Sequence, residues 1–75
     1  MIISWIDVPD SDRVGAVAYN ADQEIIYVRF KKDGVEWWYG SCPQHFWEQF
    51  TAPGVSKGRF IREVLDSHPN GRHVG

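Results

Sequence analysis

The fold is decided by residues 25–39, which read IIYVRFKKDGVEWWY. β-branched and aromatic residues crowd both ends of this stretch, and such residues favour β-strands. Asp33-Gly34 lies between the two ends and is a strong hairpin signal, because the turn needs a positive φ that glycine adopts at little cost. The stretch therefore predicts two antiparallel strands, residues 24–31 and 35–40, joined by a two-residue turn.

A third strand is predicted before this hairpin, over residues 14–19, with the polar residues 20–23 as a four-residue turn. This three-stranded antiparallel meander pairs Lys32 with Val35, and a one-residue slip would turn every side chain to the other face. Phe30 then lies opposite Trp37. The face expected to form the core collects Val17, Tyr19, Ile26, Val28, Phe30, Val35, Trp37 and Tyr39.

The opposite face of the predicted sheet is polar at one end and aromatic in the middle. The same register predicts an ion pair between Lys31 and Glu36 and a cation–π pair between Arg29 and Trp38. This outer face collects Ala16, Ala18, Ile25, Tyr27, Arg29, Lys31, Glu36 and Trp38.

Two short helices are predicted after the strands. Pro43 suits the start of the first helix, where its missing N–H costs nothing, and Ser56 is a good N-cap for the second. The apolar residues at helical spacing are Phe46, Trp47 and Phe50, then Phe60, Ile61, Val64 and Leu65. Packing both helices on the core face gives an α+β fold of order β-β-β-α-α. We expect residues 1–10 to form an extended N-terminal arm and residues 11–75 to form a single domain.

The chain resembles the KTSC domain family over nearly all of residues 11–74. The matching motifs are Ser11, Val14-Gly15-Ala16-Val17-Ala18-Tyr19-Asn20, Ile26-Tyr27-Val28-Arg29-Phe30, Trp37-Trp38-Tyr39, Pro43 with Phe46 and Phe50, Ser56-Lys57-Gly58-Arg59-Phe60, and residues 69–74. This family is named for its occurrence at the C-terminus of some lysyl-tRNA synthetases. It also occurs as small stand-alone bacterial and phage proteins.

The resemblance implies a fold, and the family's attachment to a tRNA-charging enzyme suggests RNA binding. Fold alone does not determine function. The chain departs from the family pattern in three places. Trp37 replaces a usual tyrosine, Gly40 stands where an aromatic residue often follows, and residues 52–55 lengthen the link between the helices.

The composition indicates the cellular environment of the protein and limits the kind of partner that we expect. Cys42 is the single cysteine, so no disulfide can form within the chain, which fits a cytoplasmic protein. No run approaches the roughly 20 apolar residues of a membrane span, so we expect no membrane contact. The net charge is −2, although residues 57–75 carry four basic and two acidic residues. A strong nucleic-acid binder is usually basic, so the overall charge does not favour that function.

Two constellations have the residue types of catalysis or metal binding. Cys42 and His45 are spaced as a thiol and a nearby base, and His68 and His73 would complete four possible zinc ligands. We interpret Cys42 as a half-buried cysteine ahead of a helix, because no partner is evident to orient His45. The histidines are better explained as surface residues. We therefore predict no catalytic residue, no metal site, no cofactor and no small-molecule substrate.

The outer face is the best candidate for binding. Tyr27, Arg29 and Trp38 are residue types that dominate protein interfaces and also stack on unpaired bases. Arg59, Arg62 and Arg72 would guide an anionic partner. A protein partner or homodimer is our first interpretation, and the second is that Ile3 and Trp5 fold back over the face. The third interpretation is an accessory domain for RNA, tRNA or single-stranded nucleic acid.

Overall fold

A computed structural model describes residues 3–74 of the chain. Its strands form one antiparallel sheet of order β1-β2-β3-β4-β5. Both helices pack on one face of that sheet, so the predicted α+β class is confirmed. The elements are β1 (Ile6–Asp7), β2 (Val14–Asn20), β3 (Ile25–Phe30), β4 (Glu36–Tyr39), α1 (Gln44–Phe50), α2 (Lys57–Glu63), a 3-10 helix (Leu65–Ser67) and β5 (Asn70–Arg72).

The prediction of three strands is wrong, because a short strand is added at each edge of the meander. Ile6 of β1 lies opposite Val17 of β2, so part of the predicted N-terminal arm belongs to the sheet. At the other edge, Gly71 of β5 lies opposite Trp38 of β4. These strands have two and three residues, too few to show the alternation by which a strand is predicted. The division of the chain at residue 10 stays a prediction.

The predicted register of the Asp33-Gly34 hairpin is wrong by two residues. Phe30 pairs with Val35 through an N–H···O bond of 2.9 Å, and Val28, not Phe30, lies opposite Trp37. The loop has four residues, 31–34, with Gly34 at φ 71°. A shift of two keeps each side chain on its predicted face, since side chains alternate with a period of two. All the predicted core-face residues except Val35 are therefore in the core or packed against it.

The first hairpin is shifted by two residues as well. Tyr19 lies opposite Ile26 instead of Glu24. A bulge at Gly15 then interrupts the pairing between Val14 and Ala16. The extra residue turns Val14, which is fully buried, toward the helices, although Ala16 two positions later faces away from them.

The core lies between the sheet and the two helices. Ser56 caps α2 by accepting the Arg59 backbone N–H at 3.4 Å, as predicted. Leu65 follows α2 in the 3-10 helix and is also fully buried. The largest fully buried side chains are Phe50, Ile26, Ile61, Leu65, Val14, Val17, Val28 and Cys42. Within residues 3–74, no helix has the length and apolar character that crossing a lipid bilayer requires.

Candidate interaction surface

The outer sheet face, which points away from the helices, is itself largely covered. Ala16 and Ala18 are buried there, and Tyr27 retains only 5% of its exposure. Residues of the same strands with the opposite orientation form the core. A side chain as large as Tyr27 can be buried on this face only if another part of the chain lies over it. Two terminal segments provide that cover.

The N-terminal segment covers Tyr27 from one side, as one of our interpretations expected. The Trp5 ring meets the Tyr27 ring edge to face, with centroids 6.3 Å apart and planes at 61°. The guanidinium of Arg29 lies 4.3 Å from the Trp5 ring centroid, which is cation–π geometry. Ile3 is half-buried. The arm is therefore anchored by Trp5 on a ring below it and a cation beside it.

Trp5→Ala is expected to lower the free energy of unfolding by about 2 kcal/mol, because it removes an aromatic pair and a cation–π contact. Urea unfolding at neutral pH measures the loss. The matched control is Ser4→Ala, because Ser4 is the exposed neighbour in the same segment. An unfolding midpoint equal to that of the unchanged protein would show that the arm is not anchored at Trp5.

The C-terminal segment covers Tyr27 from the other side. The His73 ring lies 4.9 Å from the Tyr27 ring at 61°, and the His73 backbone N–H donates to the Glu36 carbonyl at 2.9 Å. Tyr27 is thus held between Trp5 and His73. It supports the surface from below and offers little area of its own.

Trp38 lies against two glycines. A Cβ at Gly71 would be 3.0 Å from Trp38 Nε1 and 3.1 Å from its Cε2 and Cζ2. A Cβ at Gly40 would be 3.4 Å from Trp38 Cζ3. Only glycine at position 71 lets the indole lie this close to the β5 backbone. Trp38 is consequently half-buried, with one side of its ring occupied.

The predicted charge pairs of the outer face are wrong, and the two-residue register shift is the cause. Arg29 lies opposite Glu36, and its Nε donates to a carboxylate oxygen at 3.0 Å. It therefore contacts Trp5 and Glu36 instead of Trp38. Lys31 donates from Nζ to the carbonyl of Pro9 at 3.4 Å and to that of Ser11. These bonds tie the turn after β1 to the second hairpin.

The other three arginines of the predicted binding surface do not lie on the same face as Arg29. Arg72 lies opposite Trp37, whose side chain packs toward the core, so Arg72 is on the helix side of the sheet. Arg59 and Arg62 are exposed on α2, and Arg59 pairs with Glu63 at 3.0 Å. Three of the six predicted binding residues thus lie on the other side of the sheet from Tyr27, Arg29 and Trp38.

Cys42 lies in an environment typical of a cysteine that packs in the core and does not react. Its side chain is fully buried, and Sγ lies 3.3 Å from the Gly40 carbonyl and 3.6 Å from His68 Nδ1. Burial raises the pKa of the thiol to about 11, so it is protonated at neutral pH. His45 instead packs on Phe46 with ring centroids 4.4 Å apart. Among residues 3–74, no three His, Cys, Asp or Glu side chains are grouped so that they could hold a metal ion.

A wide cleft of about 790 Å³ lies on the helix side, between residues 6–13 and the link from α1 to α2. Its cations are directed at aromatic rings, with Arg13 5.3 Å from the Phe30 centroid and Lys57 5.7 Å from the Phe50 centroid. Ligand sites usually have a few polar groups that converge on one point. This cleft offers charges of both signs spread along an open wall.

Comparison with known proteins agrees with this architecture. No family model matches the sequence, and no curated protein matches it. A solved structure does: the crystal structure of a KTSC domain protein from Yersinia pestis superposes with a TM-score of 0.84. The match covers 97% of this chain and all of that chain, at 23% sequence identity. This chain has the KTSC fold.

Two of the departures from the KTSC motifs have a structural account. Trp37 keeps a polar hydrogen where the family usually has a tyrosine, and its Nε1 donates to Asn70 Oδ1 at 3.0 Å. Gly40 is buried where a Cβ would lie 3.4 Å from Trp38 Cζ3 and 3.7 Å from the Pro69 carbonyl oxygen, and its N–H donates to that carbonyl at 2.7 Å. Both contacts tie β4 of the KTSC fold to the segment that includes β5.

The predicted outer face includes Glu36 but pairs it with Lys31 instead of Arg29. Sequence reasoning missed two residues of the outer layer of this fold: His73, which is predicted to be a surface histidine, and Gly71, for which no role is predicted. A correct hairpin register would have identified Glu36 as the partner of Arg29. The other two depend on β5, which has no strand signal of its own.

Proposed function

We propose that this protein is a small, non-enzymatic interaction module that binds a protein partner through its outer sheet face. The contact layer is Trp5, Arg29 and Trp38, with Tyr27 beneath it. The observation that carries the proposal is the burial of Tyr27 between two rings. It fixes an aromatic layer with an arginine in place, and tryptophan, tyrosine and arginine dominate binding energy at protein interfaces.

The layer is ordered before a partner arrives, which supports this proposal. Arg29 is held by both Trp5 and Glu36, yet its side chain keeps 38% of its exposure. The position of the Trp38 ring is limited by the β5 backbone at Gly71. Side chains that are already ordered lose less conformational entropy on binding, so more of the contact energy appears as affinity.

The same geometry supports a protein partner over RNA. Stacking on unpaired bases needs free ring faces and nearby cations. Arg29 lies over Trp5, Gly71 lies against Trp38, and the remaining predicted arginines are on the helix side. RNA or tRNA binding is the alternative, and the test below includes it. The protonated thiol of Cys42 supports a non-enzymatic role, and the lone cysteine supports a cytoplasmic location.

Affinity capture tests the proposal. Parent protein, Trp38→Ala and Arg62→Ala are immobilised and exposed to lysate of the source organism, and bound proteins are identified by mass spectrometry. Arg62→Ala is the matched control, because Arg62 is exposed on the opposite side of the sheet. We expect a partner that the parent and Arg62→Ala retain and Trp38→Ala loses. Circular dichroism checks that each variant is folded.

Three results would contradict the proposal. The bound proteins could be the same for all three baits, or the parent could capture none. Alternatively, titration with tRNA could show binding that weakens with salt and is lost in Trp38→Ala, which would establish the RNA alternative.

A further inference from the structure

The sheet has two open edges, β1 and β5, whose strand residues carry opposite charges. Asp7 is exposed in β1 and Arg72 is exposed in β5. The ion pairs among residues 3–74 are Arg29–Glu36 and Arg59–Glu63, so neither Asp7 nor Arg72 has an ionic partner within the described chain. Two like edges would repel each other, whereas two unlike edges would attract.

The free backbone groups of the two edges fall on these same residues. Val8 donates its N–H to Gly15, and in an antiparallel pair such bonding positions alternate, so the N–H and C=O of Asp7 point away from β2. Gly40 donates to Pro69 and His73 donates to Glu36, so the N–H and C=O of Arg72 point away from β4.

The orientation of the Asp7 and Arg72 side chains adds a further requirement for pairing the two edges. Asp7 lies opposite Ala16 on the outer face, whereas Arg72 lies opposite Trp37 on the helix side. The two side chains can meet on one side of a continuous sheet only if the second copy is turned over. Four antiparallel steps separate β1 from β5, so the two strands run in the same direction within one copy. Turning the second copy over makes its β5 antiparallel to β1.

One arrangement satisfies these conditions together. We infer that the protein associates with copies of itself head to tail, with β1 of one copy pairing antiparallel with β5 of the next and Asp7 opposite Arg72. Ile6 then lies opposite the next copy's residue 73, beside its aromatic layer. Ile6 is an exposed large apolar residue, at 55%, and this contact would cover it.

The strands are short, so the contact is weak. It is far smaller than the roughly 800 Å² per partner of a standard interface, and we expect a dissociation constant of about 0.1 to 1 mM. A head-to-tail contact uses two different surfaces and leaves one free edge at each end of a pair. It can therefore continue beyond two copies, unlike binding through the outer face.

Analytical ultracentrifugation between about 0.02 and 1 mM protein tests this inference. The average mass of the parent should rise with concentration at about 50 mM salt and fall back at about 500 mM. Asp7→Lys and Arg72→Glu should each weaken association at least tenfold. Their mixture should associate again and, like the parent, continue beyond two copies, because the unchanged edges are opposite in charge and so are the two reversed edges. The double variant should associate again.

A parent that stays monomeric at all concentrations would overturn the inference. So would a double variant that stays monomeric, or weakening by only one of the single substitutions, since a contact between two like edges is sensitive to one of them alone. Both residues are exposed, so loss of fold is not expected, and circular dichroism verifies it. Arg62→Ala, which removes an exposed cation of α2 outside both edge strands, should leave head-to-tail association within about twofold.

Discussion

Replacing Phe50 with alanine is expected to lower the free energy of unfolding by about 3 to 5 kcal/mol. Phe50 is fully buried at the end of α1 and packs on Phe60 at 5.3 Å and on Trp47 at 6.3 Å between ring centroids. It therefore joins both helices to the core. A domain of this size has about 4 to 11 kcal/mol of stability, so the substitution removes much of it.

Thermal unfolding followed by circular dichroism measures this loss, and we expect the midpoint to fall by about 15 °C or more. Phe50→Leu retains most of the volume and should cost less than half as much. Val74→Ala is the surface control, because Val74 is 83% exposed, and it should change the free energy by less than about 0.5 kcal/mol. A Phe50→Ala protein as stable as Val74→Ala would contradict the packing described for the core.

Alkaline pH is expected to destabilise the protein strongly. Burial raises the pKa of Cys42 from 9.0 to about 11 and that of Tyr39 from 10.0 to about 12. The unfolded chain ionises first, so the free energy of unfolding has its full value below about pH 9 and falls as the pH rises toward 12. Each group accounts for at most about 3 kcal/mol. Burial raises the pKa of Tyr19 as well, in the same direction.

Urea unfolding at a series of pH values, with a reductant present, measures this effect. Cys42→Ala should remove the part of the decline that begins near pH 9, and Tyr39→Phe the part that begins near pH 10. Lysine and arginine titrations are common to all three proteins and cancel in the comparison. If both variants lost stability over the same range and by the same amount as the parent, the two side chains would not be the cause.

The sequence could predict the central strands and which face of each is buried, but not how the strands are aligned. Hydrophobic alternation has a period of two, so it distinguishes odd shifts from even ones and nothing finer. Val28 and Phe30 satisfy the pattern equally well opposite Trp37. The choice is made by the loop, where Gly34 accommodates a positive φ in a four-residue turn.

The candidate surface could be predicted in part for the same reason. Tyr27, Arg29 and Trp38 share a face in either register, so their grouping did not depend on alignment. The partners of Arg29 did depend on it. The prediction groups Arg59 and Arg62 with the face by charge alone, and their spacing does not reveal that α2 packs on the opposite side.

The order of strands in the sheet also determines where the chain entropy of folding is lost. Short turns join β1 to β2, β2 to β3 and β3 to β4, whereas residues 40–69, with both helices, separate β4 from β5. The entropy lost on closing a loop grows with its length. The topology is thus local except for one long closure. The largest loss of loop entropy therefore accompanies the pairing of β5, the strand that no local sequence pattern identifies.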